Sequence, residues 1–290
     1  MISCGRPGKA GSEETQILCT MLPVWLFVSN VVGDIEGVEV KLLLPAEASP
    51  HGYSMRPEDK KKIANADIIV MNGYDVEFEL QLGSSIKDEN QGATIIYASE
   101  RITPLFMDGG HHGDDVHQGN GIRDPHTWVS PKQAIVVVEN IRDRLAEVDS
   151  SHAEGYRTNA AKFIDELEQL VTEYEEASSS FKKRQIVTGH HAFAYLARDF
   201  NIEIVAVIEE IPQQEPSAGE LRELADAIKA TGAAAIFTEP QVRSDVAMTI
   251  AEATGLPVGI LDPIGTGKMD PGEYIRVMRK NLEELKRTLM

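Results

Sequence analysis

Short apolar runs alternate along the chain with segments whose apolar residues recur at helical spacing. Strand-like runs fall at 16–22 (QILCTML), 38–44 (VEVKLLL), 67–72 (DIIVMN) and 93–98 (ATIIYA). A second series follows at 185–188 (QIVT), 203–208 (EIVAVI), 233–238 (AAAIFT) and 256–261 (LPVGIL). Helical patterns separate them, among them 57–66, which opens with Pro57 in the first turn, and 131–148. Others lie at about 191–200, 217–231, 243–255 and 272–288. Four strands alternating with helices, twice over, predict two α/β lobes with mainly parallel four-stranded sheets and right-handed crossovers. Between the two series, 151–181 reads as one long helix with no strand beside it, suited to join the lobes as a stiff strut. The expected layout is therefore a polar N-terminal segment at 1–15, expected to be disordered, and an N-terminal lobe at 16–150. The joining helix at 151–181 and a C-terminal lobe at 182–290 complete it. The halves share an architecture, but no sequence similarity or short repeat links them.

One segment breaks this alternation. Residues 108–128, DGGHHGDDVHQGNGIRDPHTW, carry almost nothing to bury and hold His111, His112, His117 and His126. Imidazoles and carboxylates on a glycine-rich backbone suit a zinc-type divalent ion, although a solvated loop with incidental histidines has the same composition. The segment divides in two. Its first part, within the histidine-rich loop 108–123, is polar and glycine-rich, whereas Asp124-Pro125-His126-Thr127-Trp128 reads as a fixed entry to the next helix.

Bulk properties narrow the function. Hydrophobic residues are 42% and charged residues 26%, the composition of a folded soluble chain, and the formal charge of −18 disfavours nucleic acid and anionic membrane surfaces as partners. No run of about 18 apolar residues is present to span a bilayer. Cys4 and Cys19 form neither a metal-binding pair nor a disulfide framework. Met1-Ile2-Ser3-Cys4-Gly5 reads either as the end of a lipoprotein signal lacking its apolar part or as an ordinary start.

Chemistry appears where polar residues meet strand ends. His51 follows the second strand, His190 the first strand of the second half, and Asp262 the last strand; His126 leads into a helix after the fourth. Ligands of open α/β sheets bind beyond the carboxyl ends of the strands. Three imidazoles and one carboxylate there make a four-donor shell for a divalent ion. Each residue taken alone is a loop or turn former; their joint placement carries the reading. His191, beside His190, is expected to back the site or to be incidental, and His152, in the long polar helix, to be solvent-exposed. Gly265-Thr266-Gly267-Lys268 lacks the first glycine and the final hydroxyl of a phosphate loop, and neither a HExxH helix nor a GxSxG elbow is present. A zinc hydrolase would leave Asp262 off the metal, with water in its place and Glu239 as base.

These residues resemble the metal-binding solute receptors of ABC transporters, in the cluster that takes up zinc and manganese, from about Gln16 to the C-terminus. LLLPAEASPHGY, DPHTWVSP, VTGHHAFAYLA and LDPIG are similar to the family's four ligand motifs. The resemblance implies two α/β lobes joined by a single long helix, with metal in the cleft held by His51, His126, His190 and Asp262. It implies an extracytoplasmic protein, in the periplasm or at the cell surface and often lipid-anchored, here through Cys4. Such a protein hands its ion to a membrane permease; a monomer with little domain motion is expected. Histidine at 190, where manganese receptors of the family carry glutamate, points to Zn2+, with Mn2+ or both ions as the alternative. His111, His112 and His117 would form a weaker accessory site. A surface adhesin built on the same fold is a further role the resemblance admits. Ser54 and His191 depart from the family pattern, where acidic residues are usual.

Overall fold

Both strand series form parallel sheets in the structure, a computed structural model that describes residues 14–74, 76–107, 121–208, 218–240 and 245–290. The first sheet holds β1 (Thr15–Cys19), β2 (Val38–Leu42), β3 (Ile68–Met71) and β4 (Thr94–Tyr97), in the order β2-β1-β3-β4. Its crossovers are α1 (Leu22–Val32), α2 (Pro57–Asn65) and α3 (Glu77–Glu89). The second sheet holds β7 (Gln185–Thr188), β8 (Glu203–Val207), β9 (Ala235–Thr238) and β10 (Val258–Ile260), in the order β10-β9-β7-β8. Helices α6 (Ala194–Asp199), α7 (Ala218–Thr231) and α8 (Asp245–Thr254) connect these, and α9 (Glu273–Leu289) closes the chain. Each sheet thus places its first strand between its second and third. The polar and apolar pattern foretells eight strands, but not that the two halves repeat one strand order.

All four residues of β3 are buried, as a central parallel strand covered on both faces requires. The apolar run at 16–22 is not all strand: β1 ends at Cys19 and Leu22-Pro23 opens α1, because proline's fixed φ suits a first helical turn. Helix α1 is buried at nine of its eleven positions, including Trp25 and Phe27, so it is covered on nearly every side.

The connecting segment contains a short antiparallel ribbon, β5 (Phe106–Met107) with β6 (Ile122–Arg123), then a 3-10 turn at Thr127–Val129 and α4 (Pro131–Val148). The long helix α5 runs Ala153–Ser179, within the expected 151–181. Its buried residues Tyr156, Ala160, Phe163, Leu167, Leu170, Tyr174 and Ala177 recur at spacings of four and three, one continuous stripe along about 40 Å of helix. That stripe packs against α1 and α4 of the first half and α9 at the chain's end, where the Tyr174 hydroxyl donates to Met278 O at 2.6 Å. One hydrophobic core therefore contains residues of both halves, from Ile17 to Leu289, and a smaller core around Val187, Ile236 and Ile250 lies within the second half. The long helix is the expected stiff strut, packed along its length against both halves.

The crevice between β1 and β3, where the strand order reverses, is the place such sheets offer to ligands. Here Glu79 of α3 fills it. Its buried carboxylate accepts from Thr20 Oγ1, and from the backbone N–H groups of Asn72 at 2.7 Å and Gly73 at 2.8 Å. Burial pushes its pKa up to about 7 against those three donors. The equivalent crevice of the second sheet, between β7 and β9, is where His190 stands.

Candidate metal centre

His126 is fixed by a segment hydrogen-bonded to both halves. Asp124 Oδ1 accepts from the His126 backbone N–H at 2.9 Å and from its Nδ1 at 2.8 Å, a local turn that holds backbone and ring together. Asn72 Nδ2 donates to Pro125 O at 2.9 Å, and Ser99 Oγ bonds Thr127 Oγ1 at 2.9 Å, which ties the segment to the first half. The Tyr195 hydroxyl donates to Asp124 O at 3.0 Å, Trp128 Nε1 to Pro263 O at 2.7 Å, and the Tyr274 hydroxyl to Trp128 O at 2.8 Å. Those three bonds tie it to the second half.

His51 and His190 arrive from opposite sides. His51 lies in the loop between β2 and α2, followed by Gly52 at φ +76°, and its backbone N–H donates to Ser49 Oγ at 3.2 Å. His190 follows β7 directly, with Gly189 N bonded to Phe237 O of β9 at 2.9 Å. Donor nitrogens of His51, His126 and His190 all lie within 4.8 Å of one another. The ring centroids are 5.1 to 5.6 Å apart.

The Nδ1 of each ring is engaged by its own carboxylate: His51 by Glu77 at 3.1 Å, His126 by Asp124, and His190 by Glu239 in a short contact. A carboxylate accepts, so the proton of each neutral imidazole sits on Nδ1 and its Nε2 presents a bare lone pair. The Nε2 atoms of His51 and His126 face each other at 3.3 Å, and Nε2 of His190 is buried with no hydrogen-bond partner. Lone pairs opposed at that distance repel unless a cation lies between them. Two nitrogens on a tetrahedral zinc, each about 2.05 Å from it, stand about 3.3 Å apart. Burial, chiefly, keeps the His126 pKa below the ordinary imidazole value, with the neighbouring rings adding to it and Asp124 opposing. The ring is therefore neutral and able to ligate at neutral pH.

Asp262 does not join this group. It follows β10, pinned by Asn281 of α9, whose Oδ1 accepts from Asp262 N and whose Nδ2 donates to Asp262 O, both at 2.8 Å. One carboxylate oxygen accepts from Ile264 N at 2.8 Å, across a turn in which Ile264 sits at φ +60°. Burial raises the Asp262 pKa, with Glu239 and Glu273 adding to it, so a nearby cation would relieve that strain. His111, His112, His117, Cys4, and Glu209, Glu210 and Glu215 lie outside the described residues. His152 caps α5, its Nδ1 2.7 Å from Asp149, and is half-buried. The carboxylate partners Glu77, Asp124 and Glu239 were not read from the sequence as partners. Only Asp124, two residues before His126, leaves a local signal.

Two parallel α/β lobes of one strand order, packed along a long helix, thus bring three imidazoles together as a candidate metal centre. The chain belongs to the family described as zinc-uptake complex component A periplasmic, whose model matches residues 17–288. It is 32% identical over 293 residues to the zinc-binding protein AdcA of Streptococcus pyogenes serotype M3, covering 95% of this chain and 56% of that protein. The chain thus spans about half the length of that relative. It is 30% identical to the high-affinity zinc uptake system protein ZnuA of Bacillus subtilis, covering 99% of this chain and 93% of that one. Among solved structures, the Zn(II)-bound ZnuA-like domain of Streptococcus pneumoniae AdcA is similar at a TM-score of 0.79 and 32% identity, covering 95% of this chain and 99% of that one.

Proposed function

We propose that this chain is the extracytoplasmic receptor of an ABC importer, capturing Zn2+ between its lobes and delivering it to a membrane permease. Zn2+ is held by Nε2 of His51, His126 and His190, and Asp262 completes the shell from the end of β10. The observation that carries this reading is the set of three carboxylate-engaged imidazoles whose free nitrogens converge. Nitrogen donors favour zinc over manganese, which prefers oxygen. A four-donor shell with no position kept for water suits capture and transfer rather than hydrolysis. Glu239, the base a hydrolase would need, is engaged with His190 Nδ1. Among the described residues no helix is long and apolar enough to cross a membrane. Ligands come from both halves, the first ending near residue 150 and the second beginning near 182, so the ion ties the lobes together.

Calorimetric titration with competing metals tests this. One Zn2+ per chain, bound more tightly than Mn2+, is expected, with tight binding kept in a variant lacking 109–120 and lost in His190→Ala. Tighter manganese binding would sink the zinc assignment. Loss of the tight site on deleting the loop alone would move the primary site away from these histidines.

A further inference from the structure

The three carboxylate–imidazole pairs differ in how deeply they are set. The side chain of Asp124 is 2% exposed and that of Glu239 13%, whereas Glu77 is 59% exposed. The supports beneath them differ in the same order. Asp124 and His126 belong to a segment bonded to both halves, and His190 and Glu239 follow adjacent strands of the second sheet. His51 stands on a loop, and its ring is held through Glu77, the first residue of α3.

Helix α3 is only partly seated. It buries Phe78, Leu82 and Ile86, but the side bearing Leu80 and Gly83 overhangs a cavity of about 470 Å³. Val76, Ile95 and Tyr97 are among its other walls, and Leu80 is 64% exposed at its mouth. A Cβ at Gly83 would meet nothing within 4 Å. The first turn of α3 is nonetheless anchored, because Phe78 is buried and the Glu79 carboxylate accepts from Thr20, Asn72 and Gly73, so the freedom of the His51–Glu77 pair is that of two exposed side chains.

We propose that His51 and Glu77 are the release arm of the metal centre. Glu77 is a positioning residue: it holds Nδ1 of His51 so that Nε2 faces the ion, and this exposed, loop-borne pair parts before the two better-supported imidazoles let go. An exposed pair is screened by water and weak, so the last ligand to form and the first to leave is His51. The proposal rests on the metal-receptor reading above.

The test is zinc release from the full chain into excess chelator, followed by stopped flow. Glu77→Gln is expected to raise the release rate about tenfold, the scale of losing a carboxylate behind a ligating imidazole. The melting temperature of the metal-free chain should not change. The 15N shifts of the His51 ring should move in this variant, and those of His126 and His190 should not. An unchanged release rate in Glu77→Gln, or shifts that move at His126 or His190 as much as at His51, with wild type still binding one zinc, overturns the release arm and leaves the receptor reading intact. No zinc binding by wild type overturns both.

Discussion

Replacing His126 with alanine is expected to abolish tight zinc binding while the chain stays folded. The ring is 3% exposed and supplies one of three converging nitrogens. Its loss removes a ligand and leaves the Asp124 carboxylate facing an empty space. Removing only the partner behind a ligating imidazole costs about 10- to 100-fold in affinity, so losing the ligand itself should exceed about 100-fold by calorimetry. Acid should do the same reversibly to the whole site, because a protonated imidazole cannot ligate. Since burial lowers the His126 pKa, this ring stays available to a lower pH than an ordinary histidine. The variant retains the backbone bonds of residues 124–130, so circular dichroism should match wild type. Retained tight binding in His126→Ala would remove this segment from the site.

Trp128→Ala should give the largest loss of stability of any single change near the site. The indole is 2% exposed, packs 5.2 Å from the His126 ring, and donates to Pro263 O, directly after Asp262. It therefore joins the segment carrying His126 to the segment carrying Asp262. Truncating a buried tryptophan costs about 3–5 kcal/mol through lost burial and the cavity left behind. For a chain of this size that lowers the melting temperature of the metal-free protein by roughly 10 °C. Zinc affinity should fall as well, since His126 loses the surface against which its ring is set. Trp128→Phe keeps most of the packing and loses the N–H, and should cost about 1 kcal/mol. A Trp128→Ala protein melting like wild type would mean that this contact does not join the two halves.

The architecture was legible because each strand is a short apolar run and each helix a periodic one, and that alternation leaves few topologies for parallel sheets. The shared strand order was not legible, since pairing depends on which crevices the crossover helices fill. The ribbon of β5 and β6 escaped because two residues make no pattern. At the centre, the histidines were readable from their places after strands, which the fold turns into one location. Their carboxylate partners were not. Glu77 is 26 residues from His51, and Glu239 is 49 from His190, so only the packing of α3 and of β9 beside β7 brings them together. By sequence Glu239 reads as an acid at a helix start or as a base. Asp262 shows the opposite limit: its position after β10 was plain, yet its side chain is turned toward Ile264 N and stands outside the three-imidazole group.

Zinc X-ray absorption of the one-to-one complex tests the converging imidazoles most directly. Three imidazole nitrogens at about 2.0–2.1 Å and one oxygen are expected, with one nitrogen lost in each of His51→Ala, His126→Ala and His190→Ala. Fewer than three imidazoles in the wild-type spectrum, or a spectrum unchanged by any of those substitutions, would contradict the site.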